Sequence, residues 1–252
     1  MSLLDTLSST LASTARGWRG TVARPAARQP AQPLELYEFE GCPFCRLVRE
    51  ALTELDLDAL IHPCPKGGTR YRPVVESLGG KAQFPFLVDP NTGERMYESA
   101  AIVDYLYRTY GDRRAPRRPL GGAPALVGSQ MATALRGLRG MRADAARRPP
   151  EKPLELYSFE SSPFSRPVRE TLCELEIPYL LRSFGKASGP DMGPPWVRRK
   201  FFPDAPVEGR NRKRMREQTG RLQVPYLVDP NTGDALYESQ AIVDYLRKTY
   251  GH

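Results

Sequence analysis

No run of about eighteen apolar residues occurs anywhere in the 252-residue chain, which excludes a hydrophobic membrane-spanning helix and points to a soluble protein. Cysteine is scarce too. Four cysteines are too few for a disulfide-stapled secreted scaffold, and two of them form the pair Cys42-x-x-Cys45, a spacing that serves redox chemistry in a reducing compartment. A cytoplasmic location follows as the expectation. The basic stretches are poor in acid: residues 111–152 hold ten Lys and Arg against three Asp and Glu, and residues 183–221 hold ten against four. Most of the net charge of +8 is therefore expected in connecting segments. Arg113, Arg114, Arg117 and Arg118 alternate with Pro and Gly and lack an aromatic stacking platform, so they read as solvated linker and not as a nucleic-acid surface. The first thirty residues contain one acid, Asp5, among Ser, Ala and Arg, the composition of a transit peptide.

What is present is a duplication. Leu34-Glu35-Leu36-Tyr37 returns as Leu154-Glu155-Leu156-Tyr157, an offset of 120 residues. Between 34–60 and 154–180, 16 of 27 positions are identical, and between 84–111 and 224–251, 20 of 28 are, which makes common ancestry of the halves the only economical reading. Arg16-Gly17-Trp18-Arg19-Gly20 returns as Arg136-Gly137-Leu138-Arg139-Gly140, and a cleavable leader has no reason to recur in mid-chain. Both segments are therefore expected to form short helices preceding each unit. The division is an N-terminal helical arm at 1–30, a first domain at 31–112, a basic linker with a helix at 113–152 and a second domain at 153–252. Residues 187–206 have no counterpart in the first copy; with Pro194, Pro195, Trp196, Phe201 and Phe202 they read as a loop-like insert whose aromatics cover something.

Within each copy the coarse pattern is α/β. Leu34 to Phe39 suits a buried strand, and after Pro43 the apolar residues Phe44, Leu47, Val48, Ala51, Leu52 and Leu55 recur at helical spacing. A second strand follows over 57–62, and a helix over about 71–78. Strands at 86–88 and 94–97 flank the turn Asp89-Pro90-Asn91-Thr92-Gly93, and a last helix begins at Glu98-Ser99.

Where the first copy reads Cys42-Pro43-Phe44-Cys45 the second reads Ser162-Pro163-Phe164-Ser165. A βαβαββα unit with Cys-Pro-Phe-Cys at its first helix and Phe84-Pro85 before its hairpin resembles a glutaredoxin, and its ending Tyr97-Glu98-Ser99 is similar to the N-terminal domain of glutathione S-transferases. The resemblance implies two tandem thioredoxin-like domains and glutathione as the cofactor. It departs in that familiar transferases follow this domain with a long helical domain, for which only some 40 residues remain after the first copy and none after the second.

For the site, Cys42 at the N-cap of its helix is positioned for a lowered thiol pKa, and Cys45 one turn on can close a disulfide with it. A zinc half-site would need Cys64 and His62 as further ligands. Cys64 itself reads as a packed residue or a third thiol, and Cys173 as core. The resemblance implies that Phe84-Pro85 and Val224-Pro225 are cis bends pairing with glutathione's backbone, and that Glu98-Ser99 and Glu238-Ser239 receive its γ-glutamyl carboxylate. Lys66, Arg70 or Lys81 would meet the glycyl carboxylate. Ser162 resembles the hydroxyl of serine-type transferases, although Pro167 in the position of Leu47 perturbs that helix. The leading expectation is a glutathione-dependent thiol–disulfide oxidoreductase acting on disulfides or glutathionylated proteins, without nucleic-acid or membrane partners. The alternatives are a transferase through Ser162 and a glutathione- or iron–sulfur-binding protein. The two domains are candidates for packing as a pseudo-dimer.

Overall fold

A computed structural model describes residues 3–115, 123–144, 148–193 and 195–251. The first half comprises α1 (Leu3–Ala15), β1 (Leu34–Glu38), α2 (Pro43–Glu54), β2 (Ala59–Pro63), α3 (Arg72–Gly79), β3 (Phe86–Val88), β4 (Arg95–Tyr97) and α4 (Ser99–Thr109). The second comprises α5 (Ala123–Leu135), β5 (Leu154–Ser158), α6 (Ser165–Glu174), β6 (Tyr179–Ser183), α7 (Pro195–Phe201), α8 (Arg210–Thr219), β7 (Tyr226–Val228), β8 (Ala235–Tyr237) and α9 (Ser239–Tyr250). Each half is thioredoxin-like, as its element order leads one to expect. None of the described helices is long and apolar enough to cross a membrane.

The halves share one eight-stranded sheet in the order β4-β3-β1-β2-β6-β5-β7-β8. Its centre is the antiparallel pair β2 and β6, with Ala59 opposite Leu181, Leu60 opposite Leu180 and Ile61 opposite Tyr179. Leu60 and Leu180 are equivalent in the two copies, so a pseudo-twofold axis passes between them. Each half thereby covers a strand edge that would otherwise expose unpaired N–H and C=O groups. Leu34, Leu36, Val48, Leu52 and Leu55, with Leu154, Leu156, Val168 and Leu172, form one continuous core across the axis.

Helix α2 obeys the expected apolar pattern only in part. Val48, Ala51, Leu52 and Leu55 are fully buried, whereas Phe44 is 44% exposed. The opposite face of the helix is buried as well, and it is charged: Arg46, Arg49 and Glu50 are all inaccessible. Arg49 Nε meets Glu160 Oε2 of the other half at 2.8 Å, Nη1 of the same side chain pairs with Glu38, and Arg169 Nη2 meets Glu40 Oε1 at 3.0 Å. Flanking pairs join Arg16 to Glu50 at 2.8 Å and Arg136 to Glu170 at 2.6 Å. Many of the arginines therefore lie inside the molecule, matched there by carboxylates. Arg113 donates to the Arg24 carbonyl and lies over Tyr107, while Arg117 and Arg118 fall outside the described residues.

One member breaks the symmetry of this cluster, because Ser158 stands where the first half has Glu38. Burial pushes the Glu38 carboxyl up to about 7 despite the adjacent Arg49. A carboxyl raised on folding binds its proton more tightly in the native state, so its contribution to stability is fully present below its unfolded pKa near 4.5 and is lost as pH rises through about 7. Asp56, raised by burial to about 6, acts in the same direction. Urea unfolding of wild type should thus show stability falling across this window, and Glu38→Gln should flatten the fall without abolishing it; an unchanged slope in the variant would exclude Glu38 as a source.

Each helical arm docks on the half it does not precede. In α1, Ser13 Oγ donates to the Ser161 carbonyl at 2.8 Å, and Arg166 Nη1 donates to the Ser9 carbonyl at 2.7 Å. In α5, Ser129 Oγ donates to the Pro43 carbonyl at 2.8 Å, Thr133 Oγ1 to the Gly41 carbonyl at 3.0 Å, and Arg46 Nη1 to the Ser129 carbonyl at 2.7 Å. The two arms pack on each other, and Ala12 and Ala132, at equivalent positions in them, are both fully buried. The repeated Arg-Gly-x-Arg-Gly segments are not helical, contrary to expectation; they form the turn after each helix, with Gly20 at φ 70° and Gly140 at φ 69°. A Cβ at either glycine would collide with the buried Glu160 or Glu40 side chain, so left-handed backbone and close approach both select glycine there.

Candidate functional site

In the first half, β1 delivers the chain to Cys42, the N-cap of α2, with Pro43 in the first turn. Cys42 Sγ accepts the Cys45 N–H at 3.3 Å. Burial raises the thiol pKa, but the Cys45 side chain and the N–H groups of Cys45 and Phe44 outweigh it, and Cys42 lies below the ordinary cysteine value. Cys45, fully buried and facing Cys42, is pushed well above it by burial first and by Cys42 second. Of the pair, Cys42 is thus the thiol that ionises first and Cys45 the one that holds its proton longer. The two thiols are free in this structure. Access is narrow: Cys42 is 3% exposed, and Met141 and the Arg139 carbonyl lie against the neighbouring Gly41.

The other expected residues of this half are tied to one another where β3 and α4 begin. Phe84-Pro85 is a cis bond at the entry to β3, and the Phe84 ring meets Phe39 edge-on at 6.1 Å between centroids. Gln83 Nε2 donates to Glu98 Oε1 at 2.5 Å, tying the proline bend to the start of α4, where Glu98 has φ 69° and Ser99 is buried. The basic candidates do not converge. Arg70 turns to the Glu176 carbonyl at 3.1 Å, and Lys81 lies over Tyr97 at 4.8 Å. Arg72, which the spacing did not single out, lies over Phe84 at 4.8 Å and donates to the Cys64 carbonyl at 3.0 Å.

Cys64 packs with Tyr37, Val75 and Phe86, donates to the His62 carbonyl at 3.4 Å, and is driven far up in pKa by burial, all traits of a packing residue. Cys173 is core, its Sγ donating to the Gly140 carbonyl at 3.3 Å. His62 is stacked on Tyr37 at 4.4 Å and paired with Glu35 at 3.0 Å. Among the described residues no cluster of three His, Cys, Asp or Glu side chains is arranged to hold a metal ion.

The second half repeats the frame with other chemistry. Ser162 Oγ accepts the Ser165 N–H at 3.2 Å and the Ser165 hydroxyl at 3.0 Å, which leaves its own proton to donate. Helix α6 begins at Ser165, whereas α2 begins at Pro43, the equivalent of Pro163. Pro167 explains the delay, because it has no N–H to offer the Pro163 carbonyl. Val224-Pro225 is cis, Gln223 Nε2 donates to Glu238 Oε1 at 2.5 Å, and Ser239 Oγ donates to the Phe164 carbonyl at 2.7 Å. Ser162 and Val224 line a cavity of about 420 Å³.

The insert supplies one wall of that cavity and is not a plain loop: it holds a 3-10 turn at Gly189–Asp191 and α7. Its aromatics Trp196, Phe201 and Phe202 are exposed and cover nothing in the site, whereas Met192, Gly193 and Pro195 face the cavity. Lys186 and Arg212, also lining it, were missed by sequence reasoning. Lys186 could have been found as the partner of Lys66 at the offset of 120; Arg212 matches Arg72 only at the offset of 140 that follows the insert.

The family "Glutathione S-transferase, N-terminal domain" matches this chain at residues 36–114 and again at 156–252. No curated protein matches it in sequence. Among solved structures, a Bombyx mori glutathione transferase is 29% identical over 36% of this chain and 43% of its own, with a TM-score of 0.30. Another structure of that transferase holds a glutathione-type ligand. A delta-class glutathione transferase of Nilaparvata lugens is 31% identical over 31% of this chain and 37% of its own, with a TM-score of 0.26. A trimeric glutathione transferase of Leishmania is 16% identical over 87% of this chain and 67% of its own, with a TM-score of 0.28. The chain thus spans less than half the length of the insect transferases it matches.

Proposed function

We propose, for a chain that belongs to the glutathione S-transferase N-terminal domain family and carries that domain twice, the function of a glutathione-dependent thiol–disulfide oxidoreductase acting through Cys42 and Cys45. The observation that carries this reading is the polarised thiol pair, Cys42 lowered at a helix N-cap and Cys45 raised behind it. The Cys42 thiolate attacks one sulfur of a disulfide, and the other sulfur leaves as a thiolate. Glutathione then attacks the outer sulfur of the mixed disulfide and releases Cys42 as a thiolate. Alternatively, Cys45 attacks the Cys42 sulfur, expels the bound thiol and leaves a Cys42–Cys45 disulfide, which two glutathione molecules reduce while themselves becoming glutathione disulfide. Phe84 before its cis proline would pair with the cysteinyl backbone of glutathione. The N–H groups at Glu98 and Ser99 would hold the γ-glutamyl carboxylate. The narrow approach to Cys42 favours a thin, extended disulfide such as glutathione's over a bulky folded protein.

The second half binds glutathione without a protein thiol in this reading, through Ser162, Val224, Pro225, Glu238 and Ser239. One observation favours transferase chemistry there as a second reading: the unspent Ser162 proton beside a cavity can donate to a bound thiolate. The test of the first reading is glutathione-dependent reduction of a small mixed disulfide by the whole chain, with the rate of Cys42 alkylation followed against pH. Turnover together with an alkylation midpoint below the ordinary thiol value near 8.5 supports it, and no turnover overturns it. Loss of conjugation to an electrophile in Ser162→Ala, with reduction retained, would establish the second.

A further inference from the structure

Amphipathic helices ordinarily turn their apolar stripe toward the protein, and the two arms do the reverse. What α1 and α5 present to the body is polar: Ser9 and Ser13 accept hydrogen bonds from Arg166, Ser129 and Thr133 accept them from Arg46, and all four residues are buried. At about 100° per residue, Leu4, Leu7 and Leu11 fall on the side of α1 opposite Ser9 and Ser13. They stand at the three- and four-residue spacing of a coiled-coil seam, and Val127 and Met131 of α5 are the counterparts of Leu7 and Leu11. With Leu135, and with Trp18 and Leu138 in the turns that follow the helices, these residues are 41% to 77% exposed.

The arms join their stripes into one layer. They pack side by side, with Arg136 Nη1 donating to the Asp5 carbonyl at 3.1 Å across the seam between them. The pseudo-twofold axis that relates Leu60 to Leu180 also exchanges α1 and α5, so the layer repeats the same stripe on either side of its own axis. The two helices hold one ionisable side chain, Asp5, and Arg139 of the other arm's turn pairs with it. Eight large apolar residues, each about half exposed, offer roughly 800 Å², more than the largest apolar patch of an ordinary monomer and about what one partner contributes to a stable complex.

We propose that a second copy of this chain covers the layer, stripe against stripe, to give a homodimer whose four arms form a helical bundle across a true twofold axis. An isologous contact requires a self-complementary patch, which a layer with its own internal axis provides. Charge favours a second copy over a lipid surface: interfacial helices flank their apolar face with Lys and Arg, whereas α1 and α5 carry none. The layer ends at Trp18, which also lines the Ser162 cavity, so its covering reaches the edge of that site. The proposal rests on neither the thiol nor the serine reading.

The test is sedimentation velocity of the full chain over a roughly hundredfold range of concentration, with circular dichroism as the check on folding. Wild type is expected to run at twice the chain mass. Leu11→Glu places a carboxylate in the seam of each copy and is expected to weaken dimerisation at least roughly a hundredfold, and Met131→Glu on the other arm to do the same. Both side chains are more than half exposed in the single chain, so helical signal should be retained; should Leu11→Glu nevertheless fail to fold, Met131→Glu decides. A wild type that stays at the single-chain mass throughout overturns the proposal, as does an assembly that the variants leave intact. Vesicles of phosphatidylcholine and phosphatidylserine form the last arm: single-chain protein that binds them, and loses that binding in Met131→Glu, would assign the face to lipid and overturn the dimer equally.

Discussion

Cys42→Ser is expected to lower glutathione-dependent reduction of a small mixed disulfide by roughly 10³-fold or more, since a hydroxyl at the helix N-cap stays protonated where the thiol ionises. The fold should survive, because the second half already places Ser162 at the equivalent N-terminal position with the same N–H contact from the residue three places on. Cys45→Ser separates the two roles. It removes the resolving thiol while leaving the nucleophile, so the mixed disulfide between Cys42 and glutathione should accumulate and be visible by mass. Activity retained in Cys42→Ser would sink the redox assignment.

The second large effect is expected in stability. Arg49→Met should destabilise the protein by about 3–5 kcal/mol, the scale for breaking one partner out of a buried ionic group. Three carboxylates, Glu38, Glu40 and Glu160, converge on Arg49 within a region no water reaches. Arg49 and Arg169 also hold Glu160 well below the usual carboxylate range against the opposing effect of burial. Loss of Arg49 leaves Glu38 without its cation, and the melting temperature should fall by on the order of 10 °C. Arg169→Met is expected to cost less, because its own half offers Ser158 where Arg49 faces Glu38. Thermal unfolding of the two variants at one pH decides this; a negligible change in Arg49→Met would mean the cluster contributes no cohesion between the halves.

Legibility in the sequence was uneven for identifiable reasons. Strands and helices followed from apolar spacing, and the cis proline bends and the Glu98 and Glu238 turns followed from motif likeness repeated twice. The helix after Cys42 was read correctly where Val48, Leu52 and Leu55 face the sheet. It was misread at Phe44, which is 44% exposed, and the burial of Arg46, Arg49 and Glu50 was not read at all. A charge reads as a solvated face in one dimension, and only a partner from another part of the chain makes its burial tolerable. Arg212 stayed hidden because the insert shifts its register, and Trp18 because nothing local says which half an arm will cover.

The sequence by itself determined that the protein is a duplicated α/β chain, that its first copy holds a thiol pair at a helix N-terminus and that its second holds hydroxyls there, because periodicity, capping and turn chemistry are local properties. Tertiary structure alone decided that the halves merge into one sheet at Leu60 and Leu180, that each arm seals the other half's site, and that arginines form the centre of the molecule. Those outcomes depend on pairing between residues more than a hundred positions apart, where strand edges and buried charges find partners that no local pattern names.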